Sequence, residues 1–423
     1  VSDNSVLIVD PVSSGRLYPR VLQQYGIEPV LLDTDHALVS GFRTAPTAGA
    51  VDFAADLGNS YEALLRLCAQ RSVAYVVAGS EPGVELAERL RADIPGCPAG
   101  ERVLPQRRWD KQYMFEALAA AGIPTLTTRA VPAGHTAVPA EAVAELRAGR
   151  KLVVKPARGA ASVGVRLVET PGQLAEAVAE ITDRAGFFGG TSAALIQEMY
   201  PAPRVEYAVD TFSTPAGHEI VCVTVYDKWV SESGDFVYEK GRWLDHDEPI
   251  VRELAAYARR VLDALGMRIG PAHMEIMSGP PGPRLIDFGA RAHGIGHPLH
   301  THALTGNSQI HRESEYIAEL FGMRAPVAQR DSGYALSRRG ALVLLSVERE
   351  ARYLGGADAE LADLPGVQEV RMAAEPGRTY PATKSMMDSV ALGLVFVVAD
   401  TGDELDFRCA EVRKRAGDFF TTD

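Results

Sequence analysis

Hydrophobic and polar positions fall into three successive textures along the chain. Up to about residue 105, short apolar runs alternate with amphipathic stretches. Ser5–Val9 (SVLIV) reads as a continuous buried run, as a parallel strand covered on both faces should. A Ser/Gly turn at 13–15 follows, then a helix, then a second apolar run at 29–32. Residues 61–71 are amphipathic, 73–78 form another buried strand and 83–91 another helix. The pattern predicts a small doubly wound α/β domain.

Beyond that point the texture changes. Residues 110–121 (DKQYMFEALAAA) predict a helix with Asp110 as N-cap and Gly122 as its stop. Strands are expected at 125–131, 152–155, 163–168 and 195–199, with helices at 139–147 and 172–184. A strand-rich stretch from 205 to about 227 is broken by a turn signal at 215–217. A helix over about 249–265 comes next, then strands at 272–277 and 284–288 flanking the turn SGPPGP. After about residue 330 a third unit carries strands near 341–347, 367–372 and 390–398, with no dense cluster of candidate chemistry.

Bulk properties narrow the function classes. A chain of 423 residues exceeds one ordinary core, so several packed units are expected. No apolar run approaches the roughly 20 residues needed to span a bilayer. The start VSDNSVLIVDP has no basic leader segment, so no export signal is expected. Cys68, Cys97, Cys222 and Cys409 lack CxxC spacing, which argues against a zinc or disulfide framework and fits a reducing cytoplasm. The net charge of −12, with no Lys/Arg run, disfavours nucleic acid and membrane partners. Any polyanion bound should be small and bring its own cation, as MgATP does. VDPVSSGRLYP lacks the GxGxxG of a dinucleotide site, so architecture explains it better.

Three clusters carry candidate chemistry. In KLVVKPARGAASVGVRLV a strand ends at Lys155-Pro156, and a loop bearing Gly159, Ser162 and Gly164 follows. Small residues let backbone N–H groups approach phosphate oxygens, and Lys155 could add a charge. An ordinary glycine-containing hairpin is the other reading, since no GxxxxGK[ST] is present. The second cluster is Glu275 in AHMEIM and Asp287 in LIDF. A turn centred on Pro281 stands six residues from each, so the two carboxylates face each other directly. Like charges opposite one another in a sheet repel, and apolar flanks raise the cost. Mg2+ between them would relieve it. Pairing with Arg291 or Arg268, or a slipped and exposed register, would also do so.

The third cluster is GARAHGIGHPLHTH, residues 289–302. Arg291 could neutralise charge on a transferring phosphoryl group or a tetrahedral oxyanion, or pair with Asp287. His293, His297, His300 and His302 suggest zinc, but Gly294, Gly296 and Pro298 argue against the helix that would align them. A loop lining a polar substrate pocket is the expectation. Neither GxSxG nor a local Cys/His signature is present.

Together these residues resemble the ATP-grasp superfamily over most of the chain. The resemblance implies an α/β (α+β) ATP-grasp fold with a Rossmann-like pre-ATP-grasp domain at 1–105. A two-part ATP-grasp domain at 106–330 follows, with its flap subdomain at about 125–200, and then a small C-terminal α+β domain at 331–423 packed on the ATP-grasp core. Lys111 and Lys155 match the nucleotide lysines, and Gly159, Ser162 and Gly164 the flap over the phosphates. Gln197, Glu198, Met199 and Tyr200 match the hinge that reads adenine. Glu206 matches the acid near the ribose or metal, Glu275 and Asp287 the metal pair, and Arg291 the catalytic arginine. The chain looks most like the L-amino acid ligases and dipeptide-forming amide ligases, with which it shares the Arg-x-x-Gly element at 291–294. It departs from the pattern at Gly289, where an Asn ligand is usual, at Asp287, where Glu is commoner, and at the link PAPR over 201–204.

The resemblance implies an ADP-forming carboxylate–amine ligase in small-molecule biosynthesis that acts through an acyl phosphate, with ATP and two Mg2+ ions, Mn2+ being an admissible substitute. Small-molecule carboxylates and amines are the expected partners, and a homodimer is compatible. His273, His293, Gly294, His297 and Tyr238 are candidate substrate contacts. The rival readings are a phosphotransferase or a bicarbonate- or formate-activating ligase, a nucleotide-binding regulator without turnover, and a Rossmann oxidoreductase.

Overall fold

Ser5–Val9 lies between Val30–Asp33 and Val73–Ala78 in a parallel sheet, with Val51–Asp52 at its edge. Val6, Leu7, Ile8 and Val9 are all buried, as a strand covered on both faces requires. The turn after it is a short 3-10 segment, Ser13–Leu17, running into the helix Tyr18–Gln23. These features come from a computed structural model that describes residues 4–36, 45–160, 162–183, 192–231, 236–324 and 333–421.

The second unit holds two sheets. An antiparallel one runs in the order Thr128–Val131, Ala194–Glu198, Leu152–Pro156, Arg166–Val168, with helices Ala140–Arg147 and Pro171–Asp183 beside it. The expected strand at 163–168 shortens because Gly164 turns the chain at φ +74°. Residue 184, the expected end of the second helix, lies outside the described residues. The larger sheet runs Arg284–Gly289, Gly270–Ser278, Val205–Thr214, Gly217–Val230, Phe236–Trp243 and onward. Helix Pro249–Ala264 covers it with a stripe of Val251, Leu254, Ala255, Ala258, Val261 and Leu262, the three-to-four spacing that turns one helical face inward.

The third unit joins this sheet edge to edge. Arg339–Leu344 pairs with Phe236–Trp243, Gly393–Ala399 pairs with it in turn, and Val367–Met372 closes the far side. The limit read at 330/331 lies outside the described residues. The strand expected from 390 begins at Gly393, because helix Met386–Leu392 occupies its first positions.

One expectation is overturned. Residues 297–302 are helical, within His297–Thr305. Gly296 sits at the N-cap with φ +82°, and Pro298 lies in the first turn, where a missing N–H costs nothing. The glycines and proline taken as breakers are start signals. Among the described residues, no helix is long and apolar enough to cross a membrane.

A buried polar node fastens the first unit to the rest. Glu313, on helix Gln309–Leu320, accepts hydrogen bonds from the Tyr18 and Tyr75 hydroxyls and pairs with Arg91 Nη2 at 3.5 Å. Arg91 also reaches Glu88, which Arg108 holds from the other side. Burial raises the Glu313 pKa, against the opposing pull of Arg91 and the two hydroxyls. Removing one partner from such a node strands the others. Glu313→Ala should therefore cost about 3 kcal/mol of stability, read from urea unfolding. A loss under about 1 kcal/mol, the worth of an exposed pair, would show that the node is not a structural fastening.

Candidate active site

The strands that end the second unit set the site. Glu275 and Asp287 are directly opposed across Gly270–Ser278 and Arg284–Gly289, as are Met274 with Phe288 and His273 with Gly289. Toward the turn the register slips by one, leaving Ile286 as an extra residue. Such a residue leaves the regular ladder, and the Ile286 carbonyl accepts from Lys155 Nζ at 2.7 Å. The other side of Gly270–Ser278 pairs with Val205–Thr214, where Ala208 faces Glu275 and Asp210 faces His273. Alternation thus brings Glu206, Asp210, His273, Glu275 and Asp287 to one face.

Cations surround the two opposed acids. Lys111 opens helix Lys111–Ala120, whose N-cap Asp110 accepts from the Gln112 N–H as expected. Its Nζ lies 3.1 Å from Asp287 Oδ1 and donates to the Gly159 carbonyl at 2.8 Å. Burial, with Lys111 alongside, pulls the Lys155 ammonium down to about 8 against the opposing charge of Asp287. Lys228 lies 2.6 Å from Glu206 Oε1 and 3.6 Å above the Tyr238 ring. Burial would raise the Glu275 pKa, but His273, Lys228 and Lys111 hold it at about 2. Burial and the nearby Glu275 raise Glu206, which Lys228 and the Tyr238 hydroxyl counter. Glu275 and Asp287 are hard oxygen donors of the kind Mg2+ takes.

These groups line one cavity of about 650 Å³, within the range of small-molecule sites. Lys111, Lys155, Gly159, Ser162, Glu206, Tyr238, Glu275 and Asp287 stand on its wall. At the other end, Gln197, Glu198, Met199 and Tyr200 line it beside Leu126, Val153 and Val205. Gln197 Nε2 donates to Thr128 Oγ1 at 2.9 Å, and the Tyr200 hydroxyl donates to the Gly282 carbonyl at 2.8 Å. Gly164 turns the loop rather than lining the cavity, and residue 161 between Gly159 and Gly164 is outside the described residues. Tyr238 reaches the wall because an extra residue, Glu239, shifts the pairing of Phe236–Trp243 by one.

The histidines lie elsewhere. His273 and His293 hold the two oxygens of buried Asp210, each at 2.9 Å through Nδ1. His297 Nδ1 approaches the same carboxylate at 3.4 Å, and its Nε2 meets Thr224 Oγ1 at 3.1 Å. Tyr226 meets His293 Nε2 at 2.9 Å and stands between this cluster and the cavity. Burial would lower His273, but Asp210 and Glu275 lift it to about 9. Burial lowers His293 to about 4 and pushes His297 well below the usual imidazole range. The network therefore holds one charged imidazole, against Asp210 and Glu275, and two neutral ones. Asp210, His293 and His297 are close enough to share a metal ion. The His293 and His297 rings, however, stack at 3.7 Å and 17°. Ring lone pairs lie in the ring plane, so stacked rings cannot aim both at one ion.

Arg291 does not pair with Asp287. Its Nε donates to Glu81 Oε2 at 2.8 Å, and its Nη1 to the Ala292 carbonyl at 3.0 Å. Gly294 packs toward Ser13, whose Oγ would lie 3.5 Å from a Cβ there.

Lys228, Tyr226, Asp210 and Glu81 are not among the candidates that the sequence motifs mark. Alternation along Gly217–Val230 puts Tyr226 and Lys228 on the face of Glu206, so that signal was present. Glu81 follows the end of strand Val73–Ala78, where open α/β sheets place functional groups. Lys228→Met would leave the cavity more negative, with Glu206 and Glu275 short of a cation. Its affinity for ATP should fall about tenfold, the worth of one charge-assisted contact, by calorimetric titration. An unchanged Kd would exclude Lys228 from the nucleotide site.

Comparison with known proteins agrees with this geometry. Residues 149–295 match the ATP-grasp domain family. The chain is 24% identical over 362 residues to dapdiamide A synthase of Enterobacter agglomerans, covering 85% of this chain and 83% of that protein. Its course follows the crystal structure of an L-amino acid ligase from Bacillus licheniformis with a TM-score of 0.72 at 15% identity, over 100% of this chain and 99% of that one. It also follows carboxyaminoimidazole ribonucleotide synthase from Aspergillus clavatus, solved with ATP, with a TM-score of 0.69 at 15% identity over 99% of each. The match to the ATP-grasp domain family spans Lys155, Glu275, Asp287 and Arg291, so the stretch 149–295 that carries the opposed acids and much of the cavity wall is an ATP-grasp domain.

Proposed function

We propose that the protein joins a carboxylate to an amine at the expense of ATP, releasing ADP and phosphate, with amino acids as substrates. The observation that carries this reading is the direct opposition of Glu275 and Asp287 at a cavity wall shared with Lys111 and Lys155. Lys111, Lys155 and Lys228 already offset the repulsion between the two acids, so the wall combines hard oxygen donors with cations, which suits a polyanion bound together with its own divalent ion. The relatives point the same way: one is an L-amino acid ligase and another a dapdiamide synthase.

ATP would lie with its base at 197–200 and its phosphates at Lys111 and Lys155. Glu275 and Asp287 would hold Mg2+, which when bound neutralises phosphate charge as a Lewis acid. A substrate carboxylate oxygen attacks the γ-phosphorus, the bond to ADP breaks, and an acyl phosphate forms. The lysines offset the charge and fix the geometry, the main tasks in phosphoryl transfer. The amine then attacks the acyl carbon, phosphate leaves and the amine loses a proton. Arg291 stabilises the oxyanion formed in between. The loop at 159–164, tied to Lys111 through the Gly159 carbonyl, excludes water from the acyl phosphate.

Likeness to a carboxyaminoimidazole ribonucleotide synthase favours one rival, in which bicarbonate is the activated acid. A matrix of carboxylates and amines, bicarbonate included, scored by ADP release and product mass, separates the two. Amide products from amino acids support the proposal, whereas ADP release that follows bicarbonate alone, or release of AMP and pyrophosphate, rejects it. Within the productive pair, Arg291→Ala should lower turnover about 10²- to 10³-fold, the cost of losing an oxyanion donor, while ATP still binds. Asp287→Asn should raise the Mg2+ concentration needed for half-maximal rate, and an unchanged Mg2+ dependence would remove Asp287 from the metal site.

A further inference from the structure

Space decides the residue at Gly289. Its φ lies outside the left-handed region, so the backbone does not call for glycine. A Cβ at 289 would lie 2.8 Å from Glu81 Oε2 and 3.2 Å from Arg291 Cζ. The carboxylate of the N-terminal unit and the guanidinium it holds occupy that volume. Both side chains are largely buried, at 9% and 15% exposure, so the contact is a desolvated ion pair rather than a surface one.

The same unit grips the loop that follows. Ser13 Oγ accepts from the Ile295 N–H and Ser14 Oγ from the Gly296 N–H, each at 2.9 Å. Ser13 and Ile295 both hold φ of +52° without being glycine, a strained state that persists only where its surroundings impose it. From the opposite side Arg371 Nη1 donates to the Ile295 carbonyl at 3.0 Å. Glu81 is fixed in its turn, since Ser80 Oγ donates to the Asp10 carbonyl at 2.9 Å and the Glu313 node locks the whole unit in place. Arg291 thus has Nε and Nη1 committed to protein, and among the described residues Nη2 has no protein partner.

We propose that Glu81 and Gly289 are a matched pair: the glycine admits the Glu81 carboxylate beside Arg291, and Glu81 acts as the positioning residue that presents the guanidinium to the reacting acyl group. This rests on the role given to Arg291 above. Glu81 acts chiefly through Arg291, although its charge also reaches Lys111, so its loss degrades turnover far more than nucleotide binding. A side chain at 289 displaces Glu81, so it harms the enzyme only while Glu81 is present.

The test is a cycle of full-length wild type, Glu81→Ala, Gly289→Ala and the double variant, with Glu81→Asp and Arg291→Ala alongside. ATP affinity by calorimetry and the thermal midpoint need no knowledge of the acyl and amine substrates. Turnover is read with whichever pair the matrix yields. Each single variant should lower kcat about tenfold or more, and the double should match Glu81→Ala within about threefold, because sites that share a contact are not additive. ATP affinity should stay within about threefold throughout, as expected for groups that act chiefly in transfer, and Glu81→Asp should recover part of the rate. Gly289→Ala should lower the thermal midpoint more in the wild-type background than in Glu81→Ala. Additive losses in rate and midpoint would overturn the pairing. Wild-type kcat in Glu81→Ala beside a crippled Arg291→Ala would overturn the positioning role alone, and wild-type kcat in both would remove Arg291 from the chemistry.

Discussion

Glu275 and Asp287 face each other across neighbouring strands, and two carboxylates so placed repel unless positive charge is supplied. Much of the surrounding architecture supplies it. Lys111 comes from the start of a helix, Lys155 from the end of a strand in the smaller sheet, and Lys228 from a neighbouring strand of the larger one. His273 adds a fourth cation, kept charged by Asp210 behind it. Elements distant in sequence are held together by a shared electrostatic debt. An anionic nucleotide arriving with its own divalent ion would enter a site already balanced for both.

That constraint explains which features could be read from the sequence. Strand pairing has period two, so a turn near Pro281 placed Glu275 close to Asp287, and the extra residue Ile286, which the sequence did not announce, completes their direct opposition. Lys111 and Asp110 were legible because helix starts have local chemistry. The fate of Arg291 was not legible, since its partner Glu81 lies 210 residues away, in a different sheet unit. The histidines misled for a related reason. Pro298 and Gly296 look like breakers unless the helix start is known, and the stacking of His293 on His297 depends on that start. Local grammar reaches as far as strands and caps, whereas contacts between units depend on tertiary packing.

The N-terminal unit consequently holds the loop that follows Arg291. The carboxyl ends of its strands, where an open α/β sheet commonly receives a ligand, receive the loop after Arg291 instead. Ser13 and Ser14, which opened no dinucleotide fingerprint, supply hydroxyl oxygens to that loop. Glu313 supplies the counter-anchor from the other side of the interface. Because the third unit's strands continue the large sheet and Arg371 reaches the same loop, the arginine is held between two units whose described residues do not themselves line the lysine-lined cavity.

The absence of an amide side chain at 289 then has a physical reading that differs from simple loss. An Asn there would contribute a neutral oxygen close to the acids but would exclude Glu81 from the position it holds. Glycine forgoes that neutral oxygen and admits a carboxylate aimed at Arg291, which adds negative charge beside the guanidinium without removing any from the two opposed acids. A negative partner keeps Arg291 in one orientation at low dielectric, where an unpaired guanidinium would be costly to bury. It also tempers its charge before substrate arrives. A developing oxyanion would then share that cation with Glu81, and its attraction to Arg291 would grow as negative charge builds on the reacting centre.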